Sequence, residues 1–126
     1  MGERVIERLP ELVNGDVPLV RRGRLVSLPF LVGVGDVDYH VTVEAGRIAQ
    51  VERGPLLMRP WRFAVRADAQ AWAGFWQKLP KPAFCDLFAF TKFGHGRIEG
   101  DLHPFMAHLR YFKEVLAAPR RLAGAA

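Results

Sequence analysis

Residues 93–112 read FGHGRIEGDLHPFMAHLRYF and hold three of the chain's four histidines, three glycines and an acidic pair ahead of an apolar pattern. Two readings compete. As chemistry, His95, Glu99, Asp101, His103 and His108 offer metal ligands or an acid and a base. As architecture, GRIEG (96–100) is a short extended segment, and Asp101 caps a helix that carries Pro104 in its first turn, where proline is tolerated. Leu102, Phe105, Met106, Leu109, Phe112, Val115 and Leu116 then trace one apolar stripe, which predicts a single amphipathic helix over 102–116. Spacing favours architecture. His103 and His108 stand five apart, about 140° round a helix, whereas two ligands on one face need three or four. Glu99 precedes the helix and has no reason to point at either histidine.

Working outward, Arg24–Val32 and the run from Trp61 to Ala67 read as strands. Val37, Tyr39, Val41 and Val43 alternate with Asp38, His40 and Thr42, which puts the apolar side chains on one sheet face. EAGR (44–47) turns the chain, and IAQVER (48–53) is the hairpin partner. Pro29 assigns the earliest strand to an edge or a bulge, so the expectation is a meander with one covered face. Before it, Val5, Ile6, Leu9, Leu12 and Val13 recur at helical spacing, with Pro10 marking a kink or early stop. After it, Asp68 caps a helix bearing Trp72, Phe75, Trp76 and Leu79, which ends at Pro80 and Pro82. A phenylalanine-rich helical segment over 83–93 follows, apolar on more than one side. Residues 119–126 have no pattern and read as a frayed tail.

At 126 residues, half of them apolar, the expectation is one domain over 1–118 with one core. The lone Cys85 excludes a disulfide framework within the chain and suits a reduced, cytoplasmic setting. The N-terminus lacks a signal-peptide pattern. The longest apolar region, Leu25–Val34, is far short of the ~20 residues that span a bilayer. The net charge of +5 comes wholly from residues 61–126, with ten basic and five acidic side chains. No basic run there exceeds two residues, so a nucleic-acid footprint is not expected; transient attraction to anionic surfaces is compatible with it.

The glycines of GHGRIEG are spaced one residue too wide for a dinucleotide fingerprint and lie in the wrong context. No G-x-S-x-G elbow is present. Cys85 reads as inert core. No metal, cofactor or catalytic residue is therefore expected, although a small hydrolase or isomerase using His95 or His103 with Glu99 stands as an alternative if those side chains converge. What stands out is apolar cargo. Twelve of the fourteen aromatics lie at or beyond Trp61, and such a set either packs a core or lines a cavity for a small apolar molecule.

From about Val37 to Leu116 the chain resembles the sterol carrier protein 2 family. The resemblance rests on the hairpin VDYHVTVEAGRIAQVE, the strand and capped helix WRFAVRADAQAWAGFW, the phenylalanine-rich segment, and Gly94–Asp101 as a glycine, basic and apolar strand and turn. Gly96 departs from it, since the family places an apolar side chain there. The resemblance implies an α+β fold, a five-stranded, mainly antiparallel sheet with helices over one face and a hydrophobic tunnel between them. It implies binding of fatty acyl, sterol, isoprenoid or quinone-like molecules without chemistry, or service as an accessory domain to a partner enzyme. The expected tunnel walls are Phe75, Trp76, Leu79, Phe84, Leu87, Phe88, Phe105, Met106, Leu109 and Phe112, with Lys92 or Arg97 at the rim to meet a carboxylate.

Overall fold

The computed structural model describes residues 5–54, 60–77, 87–92 and 94–125. Two tight hairpins organise its first half. Strand β1 (Leu28–Val34) turns at Gly35 and Asp36 into β2 (Val37–Glu44), and β2 turns at Ala45 and Gly46 into β3 (Arg47–Arg53). Positive φ at Gly35 (60°), Ala45 (50°) and Gly46 (84°) is what two-residue hairpin loops require to match the twist of the strands. Ala45 tolerates this conformation with its N–H bonded to Ser27 Oγ at 2.9 Å.

Among the described residues the sheet has five strands in the order β3-β2-β1-β4-β5, where β4 is Phe63–Ala67 and β5 is Gly96–Gly100. Every neighbouring pair is antiparallel except β1 with β4, which is parallel. This corrects two expectations. The strands do not form a simple meander, and the strand containing Pro29 is central. Proline fits there because of where its missing donor falls. Its carbonyl faces β4 and accepts from Arg62 N–H at 2.9 Å, while the parallel ladder begins only at Leu31 beside Ala64. The proline nitrogen thus lies before the ladder and leaves no partner orphaned.

Alternation assigns the faces. Phe30, Val32, Val34, Tyr39, Val41, Val43, Phe63 and Val65 all lie within one buried cluster. Helices cover that face. A 3-10 turn (Ile6–Arg8) leads into α1 (Leu9–Asn14), so Pro10 sits in the first turn of the regular helix rather than kinking its middle. The Asn14 side chain bonds both the N–H (2.8 Å) and the carbonyl (3.0 Å) of Ile48, pinning α1 to the edge strand β3. Helix α2 (Val17–Arg22) is capped by Asp16, and α3 (Ala69–Phe75) by Asp68, whose carboxylate accepts from Ala71 N–H at 2.6 Å.

Helix α4 (Leu87–Lys92) precedes β5. The expected helix over 102–116 is two helices, α5 (Leu102–Ala107) and α6 (Leu109–Ala117), separated at His108 (φ −123°, ψ 37°). The stretch expected to fray forms α7 (Arg120–Ala125). Its polar anchors explain the difference. Arg120 donates twice to the Phe75 carbonyl, at 3.0 and 2.8 Å. Arg121 pairs with Asp16, and Leu122 packs against the core. None of these contacts has a periodic signature in the sequence.

Candidate functional site

Four phenylalanines fill the interface between the sheet and the C-terminal helices. Phe30 from β1 and Phe63 from β4 stack at 5.1 Å. Phe112 on α6 meets both edge-on, at 5.4 and 4.9 Å. Phe105 on α5 completes the group at 5.1 Å from Phe63 and 5.9 Å from Phe112. These spacings are those of ring pairs in contact. All four rings have no exposed surface.

The turn into α5 holds Phe105 in place. Asp101 accepts from His103 N–H at 3.2 Å and from Arg62 Nη2 at 3.0 Å, and its own N–H donates to the Arg62 carbonyl at 2.7 Å. The Arg62 hydrogen bond, helped by the His103 N–H, holds the Asp101 carboxyl below the usual aspartate range. A second aromatic group lies on α3. Trp72 and Trp76 stack at 5.2 Å, Trp72 meets Phe75 edge-on at 5.8 Å, and Arg120 lies 4.8 Å over the Phe75 ring. The indole N–H groups donate to the carbonyls of Gly33 and Leu116, each at 2.8 Å. Tyr111 donates to the Gly46 carbonyl at 2.7 Å, and burial pushes its hydroxyl well above the usual tyrosine value.

The expected wall residues therefore divide. Phe75, Trp76, Leu87, Phe105 and Phe112 are buried; Leu109 is half-buried. Phe88 is 36% exposed and Met106 is 53% exposed. Met106 looks outward because Phe105, one residue earlier, takes the inward face of a six-residue helix. Phe88 touches the buried group from outside, 6.1 Å from Phe105, with Lys113 Nζ 5.0 Å above its ring. Leu79, Phe84 and the Lys92 side chain lie outside the described residues. Phe30 and Phe63 are not among the expected walls; the alternations Leu28, Phe30, Val32, Val34 and Trp61, Phe63, Val65 are their signal.

Arg97 does not stand at this rim. With Ile98 packed against the core, alternation sends Arg97 and Glu99 to the opposite face of the sheet. There Arg66 binds Glu99 at 2.7 Å and Asp38 at 2.5 Å, and Arg97 binds Glu99 at 3.1 Å. The Arg66 hydrogen bond, together with the Arg97 charge and against the effect of partial burial, holds Glu99 below the usual glutamate range. Farther along this face His40, only 5% exposed, has Nε2 2.8 Å from the Pro60 carbonyl.

His95 lies 3.4 Å from Asp68 in an open cleft of about 470 Å³ that Arg66 and Arg97 also line. His103 is exposed on α5, and Glu99 is held by arginines. Glu99 thus contacts Arg66 and Arg97, and His95 contacts Asp68. Among the described residues no cluster of three or more histidine, cysteine, aspartate or glutamate side chains could hold a metal.

Gly96 follows from close packing between neighbouring strands. It pairs with Ala67 in an uninterrupted β4–β5 register. A Cβ at Gly96 would fall well inside contact distance of the Arg66 carbonyl and 2.9 Å from Ala67 Cβ.

No family model and no curated protein matches the sequence. Solved structures do. The crystal structure of sterol carrier protein 2 is similar with a TM-score of 0.71 at 11% identity, covering 92% of this chain and 93% of that one. A conserved hypothetical protein from Thermus thermophilus, described as possibly a sterol carrier protein, gives 0.67 at 11% identity, covering 96% and 87%. A UbiJ-SCP2 ubiquinone synthesis protein gives 0.53 at 16% identity, covering 92% and 88%. At these identities the likeness is one of architecture. The chain has the sterol carrier protein 2 fold, and among the described residues no helix is long and apolar enough to cross a membrane.

Proposed function

We propose that this chain binds and carries a hydrophobic small molecule between its sheet and the α4–α5 edge, without transforming it. The observation that carries the reading is the aromatic layer of Phe30, Phe63, Phe105 and Phe112, continued outward by the partly exposed Phe88. A ligand of fatty acyl, sterol, isoprenoid or quinone type enters by displacing the Phe88 ring and lies against Phe105. Burying an acyl chain there supplies about 0.8 kcal/mol per methylene before association costs. Leu79 and Phe84 remain proposed walls. Lys113, over the Phe88 ring, takes the place proposed for a carboxylate partner, together with Lys92.

Native mass spectrometry of freshly purified protein, followed by denaturing extraction, tests this. A discrete adduct recovered as a lipid or polycyclic compound is the expected result. Bare protein that also fails to take up added fatty acids, sterols and quinone precursors would end the reading.

The likeness to a ubiquinone synthesis protein favours a second reading, an accessory domain that supports a partner enzyme of lipid, sterol or quinone metabolism. Its signature is co-purification with that enzyme from lipid-depleted extract.

A further inference from the structure

The first turns of α5 leave apolar side chains in solvent. Leu102 is 40% exposed and Met106 is 53% exposed; four residues apart, they share one helix face. Trp61, 36% exposed, lies beside Gly100 at the start of the same helix, and Phe88 borders Phe105 on its other flank. Leucine, methionine, tryptophan and phenylalanine thus crop out around one edge of the molecule.

Cations border that edge. Arg62, 52% exposed, pairs with Asp101 at the start of α5, Lys113 stands over the Phe88 ring, and Arg110, 73% exposed, lies one turn before Lys113 on α6. Among the described residues Asp101 pairs with Arg62, and Glu114 with Arg22 and Arg110, so these two carboxylates are outnumbered by the three arginines and Lys113. The half of the chain that supplies this edge carries the entire net positive charge. An apolar outcrop bordered by basic side chains fits a surface whose interior is apolar and whose boundary is anionic.

We propose that the Trp61, Phe88, Leu102 and Met106 edge docks on anionic lipid bilayers, with the apolar side chains entering the acyl boundary and Arg62, Arg110 and Lys113 meeting headgroup phosphates. The interaction is peripheral and salt-sensitive. It does not depend on the carriage reading, since the outward side chains act whether or not the interior takes up a ligand.

The test is vesicle flotation of the full chain with phosphatidylcholine vesicles, with and without phosphatidylglycerol, at low and high salt. Binding is expected only with phosphatidylglycerol, and high salt weakens it. The double variant Arg110→Gln, Lys113→Gln should lose about tenfold or more in partitioning. Leu102→Glu with Met106→Glu should abolish it while circular dichroism stays native, because both sites are solvent-facing. Absence of vesicle binding, or binding unchanged in both variants, overturns the proposal. So does self-association of the wild type that Met106→Glu removes, which would make this edge an interface between copies. Retention of the extracted small molecule by the Leu102→Glu, Met106→Glu protein, read by native mass spectrometry, separates failure of docking from failure of carriage.

Discussion

The Trp76 indole N–H donates to the carbonyl of Leu116 at 2.8 Å, joining the end of α3 to the last turn of α6. The two residues are buried, at 6% and 0% exposure, so the carbonyl has little access to water as a substitute partner. Trp76→Phe keeps most of the apolar surface and removes the donor. It should cost about 1–3 kcal/mol, read as a lower urea midpoint with an unchanged slope.

Phe105 and Phe88 are in contact yet should behave differently. Phe105 is wholly buried, so Phe105→Ala should destabilise the protein by about 3–5 kcal/mol. Phe88→Ala should cost about 1 kcal/mol or less while weakening uptake of a fluorescent fatty acid severalfold. Equal stability losses at the two positions would place Phe88 in the core and remove it from the proposed entry.

Gly96→Ala should destabilise by about 1–3 kcal/mol, because its Cβ would press on the Arg66 carbonyl and Ala67. A larger apolar residue at this position should be worse. Thermal unfolding of the two variants decides it; a Gly96→Val protein as stable as wild type would contradict the close strand packing.

Glu99 sets an acid limb. Its folded-state pKa lies below the usual value through Arg66, so its contribution to stability is present above the unfolded-state value of about 4.3 and is lost as pH falls through the folded one. Exposure to solvent keeps the contribution small. Glu99→Gln should be slightly less stable than wild type at neutral pH and equal to it at strongly acidic pH. Urea midpoints measured across that range check the convergence.

Local rules carried much of the architecture. Asp68 and Asp101 were readable as caps because a carboxylate one residue before a helical period has few other uses, and the β2–β3 hairpin followed from alternation broken by turn residues. Pro29 misled because the rule against central prolines concerns a missing ladder donor, and here the ladder starts two residues later. The division at His108 escaped the periodicity because Phe105 and Phe112 remain on one side across the break. At the proposed site the aromatic content was legible, but which rings face inward was not. Met106 and Phe105 are neighbours in a short helix, and only the position of the sheet decides between them. Arg97 illustrates the converse: the inward position of Ile98 fixes its outward one, but the rim assignment came from charge rather than from strand alternation.

The parallel seam between β1 and β4 also imposes an order of events on a growing chain. The β1-β2-β3 ribbon closes through two-residue turns and can form early, whereas Leu31 meets Ala64 only after the chain has run out to the far edge and back. Non-local pairing of this kind is slow relative to hairpin closure. Until it occurs, β1 is an apolar strand with one unpaired side, the sort of template that recruits other chains. The assembly most vulnerable to aggregation is therefore a half-sheet awaiting its fourth strand, and the rate at which β4 arrives governs how long that hazard lasts.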